Sequence, residues 1–572
     1  MKRLILTIVS LAEFGSVPGA AQQAKLSAEL AGLDRNGSLN VIVRYKHAPS
    51  PNQHQKTISA GGVIKADLGI LNSGAYTIPA ARLREIAADP EVEYISVDHP
   101  VHSMLDLTAA AVNAPFAWNS LGLNGAGVGV AVIDSGITKV ADLQSSSFSR
   151  IVYSENFAEL GAAQDDYGHG QHVAGIIAGD GSASICLGCF RTFRGIAPGA
   201  QLIDLRVLDG NGDGTDSAVI AAIERAIELK PVFNIRVINL SLGHPVVESY
   251  EIDPLCQAVE QAWKKGIVVV VAAGNDGRDD SFGSSGYGTI TSPGNDPYVI
   301  TVGAMKTMGT PQRSDDRIAS YSSKGPTPID HIVKPDIVAP GNRVVSLRAP
   351  AGSLEAAFPG NNVSTSYYAW LWLFAPGGKY FTLSGTSMAT PVVSGAVALM
   401  LEANPGLTPD QVKGRLMLTA YKTFPLSSSV ADLTSGQTYT SYYDPFTIGA
   451  GYLDIQAALL DSHVFAGVAK SPIATYHAGA NGRPGVTAIV CGTLSLCAGS
   501  PAAVAASQSV WSNQSIWSNQ AVWSNQSVWS NQSVWSNQSI WSNQSVWSNQ
   551  SVWSNNNVAS TEAMQIRILG EN

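Results

Sequence analysis

Continuous apolar runs, separated by stretches of helical period, dominate the middle of the chain. Residues 128–133 form an unbroken apolar run, as expected of a strand buried on both faces of a parallel sheet. Residues 201–207, 237–242 and 267–273 read as strands too, and 217–229 and 254–265 read as helices between them. Such alternation predicts an α/β domain, a mostly parallel sheet with helices on both faces. Residues 392–401 are apolar almost throughout and predict a buried helix that begins near Ser387. Upstream, 39–45 and 92–97 read as strands and 80–87 as a helix with Pro79 near its start. They predict a separate small α/β unit over 36–102. Residues 1–21 have a charged start at Lys2-Arg3, an apolar run over 4–11 and small residues at Gly19-Ala20-Ala21, with Glu13 as an intrusion. This pattern predicts an export signal cleaved near Ala21. The run is too short to span a bilayer, and no later transmembrane helix is expected.

Three of these segments place chemistry at their ends. The run 128–133 closes on Asp134-Ser135-Gly136, and functional groups of open α/β sheets sit at the carboxyl ends of strands. His169 stands between Gly168 and Gly170, ahead of an apolar segment that reaches Ala178. Leu383-Ser384-Gly385-Thr386-Ser387-Met388-Ala389-Thr390-Pro391 delivers Ser387 to the start of the buried helix. Each residue alone has a plainer reading: a helix cap for Ser387, a turn or cap for Asp134, a packed histidine for His169. Of the two histidines, His172 reads as the structural one. Together the three supply what a hydroxyl nucleophile needs, an imidazole to take its proton and a carboxylate to orient that imidazole. The chain order Asp, His, Ser differs from the Ser, Asp, His order of α/β-hydrolases, and the Gly-x-Ser-x-Gly elbow is missing around Ser387.

All three motifs resemble those of the subtilases, the subtilisin-like serine peptidases, over about 120–461. The resemblance implies a subtilisin-like fold and peptide-bond hydrolysis through an acyl-enzyme, with Ser387 as nucleophile, His169 as base and Asp134 as its orienting acid. It implies that Asn275, which follows the run 266–274, donates to the oxyanion; a turn asparagine is the competing reading. It also implies that Ser241, Leu242 and Gly243 pair with an extended peptide substrate, against a simple buried strand end. Gln171 departs from the family, which usually has threonine there, and this touches local packing. The unit over 36–102 is similar to a subtilase propeptide, an intramolecular chaperone and inhibitor, against a plain accessory domain. Self-cleavage is then expected between about Pro100 and Ala111. The expected organisation is a signal at 1–21, propeptide at 22–105, peptidase domain at 106–461, linker at 462–506, repeat at 507–555 and tail at 556–572. If His169 titrates near the ordinary 6.5, activity should fall below about that pH.

Composition narrows the alternatives. The chain has 572 residues, 45% hydrophobic and 14% charged, with net charge −9, so a large core is available and no basic nucleic-acid surface is expected. Polypeptide substrates and the chain's own propeptide are the expected partners, and a monomer is expected. The chemistry requires no cofactor. Many subtilases bind calcium, but only Asp142 offers itself as a ligand, and the calcium-loop mimic at 209–214 has Ile220 where that pattern needs Glu. Cys186 and Cys189 could be a zinc half-site, yet no second pair stands at finger spacing, and a local disulfide suits an exported protein better. Cys491 and Cys497 could form another, and Cys256 reads as a buried free thiol. Tyr367, Tyr368, Trp370 and Trp372 form an apolar stretch that either borders the substrate groove or packs on the domain surface.

From Ser509 onward Trp recurs every six residues, from Trp511 to Trp553, in units close to Trp-Ser-Asn-Gln-Ser-Val. An even period puts every Trp on one face of an extended strand, while a helix would scatter them. Stacked β-repeats, disorder and a sugar- or surface-binding tract all fit this composition. The whole therefore reads as a secreted serine endopeptidase made as a zymogen, with cell-surface association left open. A surface-binding protein acting through the Trp repeat, or a peptide ligase with the same triad, are the rival functions.

Overall fold

The computed structural model describes residues 25–27, 30, 37–97, 104–144, 149–158, 162–280, 284–370, 378–432, 435–464, 467–478, 484–489 and 571. The expected signal peptide, Trp372, Cys491, Cys497 and the Trp repeat lie outside them. The chain divides into two compact units, Met1–Val101 and His102–Asn572.

The first unit has strands β1 (Ser38–Tyr45), β2 (Val63–Leu68), β3 (Ser73–Pro79) and β4 (Val92–Val97), with helices α1 (Pro51–Ser59) and α2 (Leu83–Ala87). The sheet order is β2-β3-β1-β4, with antiparallel pairing throughout, the βαββαβ arrangement of ferredoxin-like units. Val41, Val43, Tyr76, Ile78, Ile86, Val92 and Ile95 form its core. Apolar alternation exposes two of its strands to sequence reading. β2 escapes it, because only Leu68 of that strand is even partly buried.

The second unit is built on β5 (Gly129–Asp134), β6 (Ile151–Asn156), β7 (Gln201–Arg206), β8 (Ile235–Leu240), β9 (Val268–Ala272), β10 (Ile300–Lys306), β11 (Arg317–Ile318) and β12 (Ile337–Pro340). Their order is β11-β10-β9-β8-β5-β7-β6, with β12 also on β10; only the β10–β11 pair is antiparallel. From β5 the chain goes outward to β6, returns through β7 and crosses to β8, so the order reverses around β5. Such a reversal opens a crevice at the carboxyl ends of the strands. Every residue of β5 and β9 is buried, which requires cover on both faces. Helices α3 (His169–Ala178), α4 (Asp216–Phe233), α5 (Pro254–Lys264) and α6 (Thr386–Ala403) supply it. Thr215 caps α4 by accepting from the Ala218 N–H, and Asp253 caps α5 ahead of Pro254. Among the described residues only Thr386–Ala403 is long and apolar enough to cross a membrane, and 83% of that window is buried inside the domain. It is a core helix.

Deep under β10 sits a charged cluster. Asp336 pairs with Lys334 at 2.7 Å and Lys413 at 3.2 Å, and all three side chains are fully buried. Burial works against the Asp336 charge, but the two ammonium groups outweigh it and hold the carboxyl below its usual range. Burial pushes the Lys413 ammonium down to about 7. Removing Asp336 takes away the carboxylate that both buried lysines contact. Asp336→Asn is expected to cost about 3–5 kcal/mol, read as unfolding free energy in a Ser387→Ala background that cannot digest itself. A loss under about 1 kcal/mol would mean that water or a neighbour already screens the lysines.

Candidate active site

In-register pairing sets out the site. Ile133 of β5 lies opposite Leu240 of β8, and Leu240 lies opposite Val271 of β9. The residues that follow, Asp134, Ser241 and, after a short turn, Asn275, therefore share one edge of the sheet.

Asp134 is fully buried at the end of β5, and its Oδ1 accepts from the Ser135 N–H at 2.8 Å. His169 opens α3. Asp165 builds the turn before it, accepting on Oδ1 from Ser135 Oγ, Tyr167 N and Gly168 N, and on Oδ2 from Gln171 N at 2.7 Å. Burial pushes the Asp165 carboxyl up to about 6 in spite of these donors. The ring of His169 is thereby aimed at β5, and Nδ1 donates to Asp134 Oδ1 at 2.8 Å. An ionised carboxylate only accepts, so the Nδ1 proton is assigned and Nε2 is left as the acceptor. The imidazole keeps 17% of its side-chain surface exposed, enough for a substrate to reach it. Burial disfavours its charge, but the Asp134 charge and hydrogen bond, helped by Asp165, raise its pKa above 6.5.

Ser387 is the second residue of α6. Pro391, four residues on, has no N–H and cannot close the helical bond to the Ser387 carbonyl. Ser241 Oγ fills that gap, donating to Ser387 O at 2.9 Å. In return Ser387 Oγ donates to Ser241 O at 3.1 Å. Among the described contacts no hydrogen bond joins Ser387 to His169. Catalytic hydrogen bonds often form only in the substrate complex, and here the hydroxyl rotor has to leave Ser241 O. Of the three residues expected at the substrate edge, Ser241 is thus turned to Ser387; Leu242 and Gly243 follow it beyond the end of β8.

Asn275 is oriented by a residue that sequence reasoning passed over. Thr386 N donates to Asn275 Oδ1 at 2.9 Å, so the amide carbonyl is taken and Nδ2 faces the other way. A Cβ placed on Gly385 would lie 3.5 Å from Asn275 Nδ2, 3.6 Å from Asn275 Oδ1 and 3.6 Å from the Ser387 N. Two nitrogens able to donate, Asn275 Nδ2 and Ser387 N, thus border the space beside Gly385, and Oδ1 is already engaged by Thr386. Gly385 itself sits at φ 148°, ψ 163°, a region essentially closed to side chains.

The other expected residues divide by burial. His172 is fully buried, with Nε2 shared between Val344 O and Phe381 O, and burial and the neighbouring His169 drive it down to about 3. It is a structural histidine. Gln171 is also buried, and its Oε1 accepts from the Thr138 N–H at 2.7 Å, so the departure at this position is absorbed by packing. Cys186 and Cys189 form a disulfide. Their loop is stitched to the aromatic insertion by Phe190 N to Tyr368 O and Trp370 N to Gly188 O. Tyr368 is buried against Phe193 and Tyr380 and belongs to the core; Trp370 is exposed. Cys256 is a buried free thiol. At Asp142 the residues present do not fit calcium: the carboxylate already accepts from Ala183 N, Ser182 Oγ and Tyr380 OH. Asp209 likewise spends Oδ1 on the Asn211 and Asp213 N–H groups of its own turn.

Residues 125–451 match the subtilase family of peptidases. The chain belongs to the subtilase family. It is 38% identical over 346 residues to "Serine protease AprX" of Bacillus subtilis (strain 168), covering 59% of this chain and 72% of that one. It is 33% identical over 443 residues to "Subtilisin E" of the same organism, covering 76% and 94%. A third relative, "Extracellular serine proteinase" of Thermus sp. (strain Rt41A), is 33% identical over 377 residues, covering 63% and 73%. This subtilase is a serine endopeptidase, and polypeptides are its substrates.

Two outcomes test the geometry. Gly385→Ala should lower kcat/KM by on the order of 10²–10³ while far-UV circular dichroism stays unchanged; near-normal turnover would mean that the two donors do not share that space. Because the imidazole must be neutral to take a proton, and its pKa is raised, kcat/KM should already be falling as pH drops through a midpoint above 6.5. An acid limb centred below that value would contradict the Asp134–His169 coupling.

Proposed function

We propose that this subtilase works through Asp134, His169, Ser387 and Asn275, and that it is made as an exported, self-processed zymogen. The observation that carries the catalytic assignment is the 2.8 Å bond from His169 Nδ1 to buried Asp134, beside the paired donors Asn275 Nδ2 and Ser387 N. His169 Nε2 takes the Ser387 proton as Oγ attacks the scissile carbonyl. Asn275 and the Ser387 N–H hold the oxyanion. The imidazolium then gives its proton to the departing amine, and a water activated at the same nitrogen releases the acyl group. The main chain of Ser241, Leu242 and Gly243 pairs with the substrate as an added strand.

The unit Met1–Val101 serves as chaperone and inhibitor, removed by the enzyme itself. Its βαββαβ sheet supports this role, as does the apolar run at 4–11 for export. A protease reads extended chain. Met104–Ala111 is helical, so the cut is proposed ahead of Met104, in a stretch outside the described residues. The printed name of the Thermus relative agrees with an extracellular location. Intact mass provides the test. The wild-type chain should shed roughly its first hundred residues, while Ser387→Ala keeps them and hydrolyses no casein. Loss of the segment from Ser387→Ala without added protease would refute self-processing.

A further inference from the structure

Glu571 lies far beyond the family match, yet it is only 5% exposed and sits within the peptidase unit. Its Oε1, N–H and C=O all have hydrogen-bond partners, and Oε2 has only an ion pair. Arg278 Nη2 donates to its Oε1 at 2.9 Å, and the Ser320 N–H donates to the same oxygen at 2.8 Å. The Ser320 hydroxyl also donates to Oε1. Lys306 Nζ stands 3.4 Å from Oε2. The Glu571 main chain is held as well: its N–H donates to Asn342 Oδ1 at 2.9 Å, and its C=O accepts from Asn342 Nδ2 at 3.0 Å. The side chains of Arg278, Lys306 and Glu571 are 13%, 5% and 1% exposed. Side-chain and main-chain recognition together, in a buried setting, describe a receptor for a peptide carboxylate.

The receptor is wired to the reacting groups. Arg278 is three residues after Asn275; its Nε also donates to Ser320 Oγ at 2.6 Å and its Nη1 to Asp432 at 3.1 Å. Between them, the Asp276 N–H donates to Ser323 Oγ and the Gly277 N–H to Tyr321 O. A Cβ on Gly277 would fall 2.1 Å from Ser322 O, so this loop lies flat on 320–323 with no slack. On the other side, Asn342 follows Gly341, whose carbonyl accepts from the Gly385 N–H at 2.9 Å. The Arg343 N–H donates to Ser384 Oγ at 2.8 Å. One residue thus braces both the loop that carries Asn275 and the turn that carries Ser387. Removing the Glu571 carboxylate takes one of the two acidic partners of Arg278 and leaves it Asp432.

We propose that Arg278, Lys306, Ser320 and Asn342 form a receptor for an acidic peptide segment, filled in cis by Glu571, and that its occupancy positions Asn275 and Ser387. The chain is then held to the peptidase unit at two places flanking the Trp repeat, at Ile473, which bridges to Ile332, and at Glu571. A cut within the intervening stretch leaves the far segment bound. The receptor is independent of the zymogen reading; only its effect on turnover rests on the catalytic assignment.

The experiment inserts a site for a sequence-specific protease after Ser560 in the full chain, in the Ser387→Ala background. After cutting, the fragment carrying Glu571 should co-elute with the body of the protein on size exclusion. It should separate when Glu571→Gln or Arg278→Gln is present. Equal separation with and without these changes overturns the receptor. In the active, uncut chain, Glu571→Gln should lower kcat about 10-fold with KM nearly unchanged, at a temperature well below its melting point. Glu571→Asp should recover part of that loss. A retained fragment with unchanged kcat would keep the receptor and overturn the positioning. If wild-type chain showed no hydrolysis at all, the catalytic assignment would fail while the elution result still judged the receptor.

Discussion

Three parallel strands run side by side with Ile133 opposite Leu240 and Leu240 opposite Val271. Everything reactive hangs from that register. It brings the ends of β5, β8 and β9 to one line, so that Asp134, Ser241 and Asn275 meet although they are spread over much of the domain. A slip of one residue would turn Asp134 to the opposite face and bury an acid against helix. The fully apolar, fully buried interiors of β5 and β9 oppose such a slip, since each strand would lose its packing on both sides.

The Ser387 turn shows how local defects are repaired by tertiary contacts. Pro391 leaves the Ser387 carbonyl without its helical partner, and the β8 end supplies Ser241 Oγ instead. Gly385 leaves a hollow where any other residue would place a side chain, bordered by the Asn275 amide and the Ser387 N. Thr386 then fixes which end of the Asn275 amide is presented. The backbone freedom of Gly385 and the bond that Pro391 cannot make thus both shape the turn around Ser387.

Three buried acids of this domain are met by hydrogen-bond donors or opposite charge, which offset the cost of burial. Asp134 has the His169 ring and the Ser135 N–H. Asp336 has two lysines, and the Lys413 ammonium also donates to the carbonyls of Pro297, Tyr298 and Val299. Glu571 has Arg278, Lys306 and the Ser320 N–H. The first of these arrangements raises the His169 pKa, the second joins the start of β12 to β10, and the third joins Glu571 to the loop after β9.

By itself the sequence determined the elements and the cast. Apolar runs mark β5, β7, β8 and β9, because strands buried on both faces can carry little else, and helical period marks α4 and α5. Asp134, His169 and Ser387 are legible because each ends or begins such an element with the residue type its chemistry needs. Strand β2 is not legible, since its surface is exposed, nor is β10, whose buried Thr301 and Lys306 break the apolar run. Only the tertiary structure decided that Thr386 orients Asn275, that Ser241 bonds Ser387, that Asp142 accepts from Tyr380 and that Glu571 returns to Arg278. It also decided that His169 titrates above its ordinary value. The physical reason is the same in each case. These are hydrogen bonds and Coulomb interactions between groups far apart in sequence, and their strength depends on distance and burial, which no local pattern of residues records.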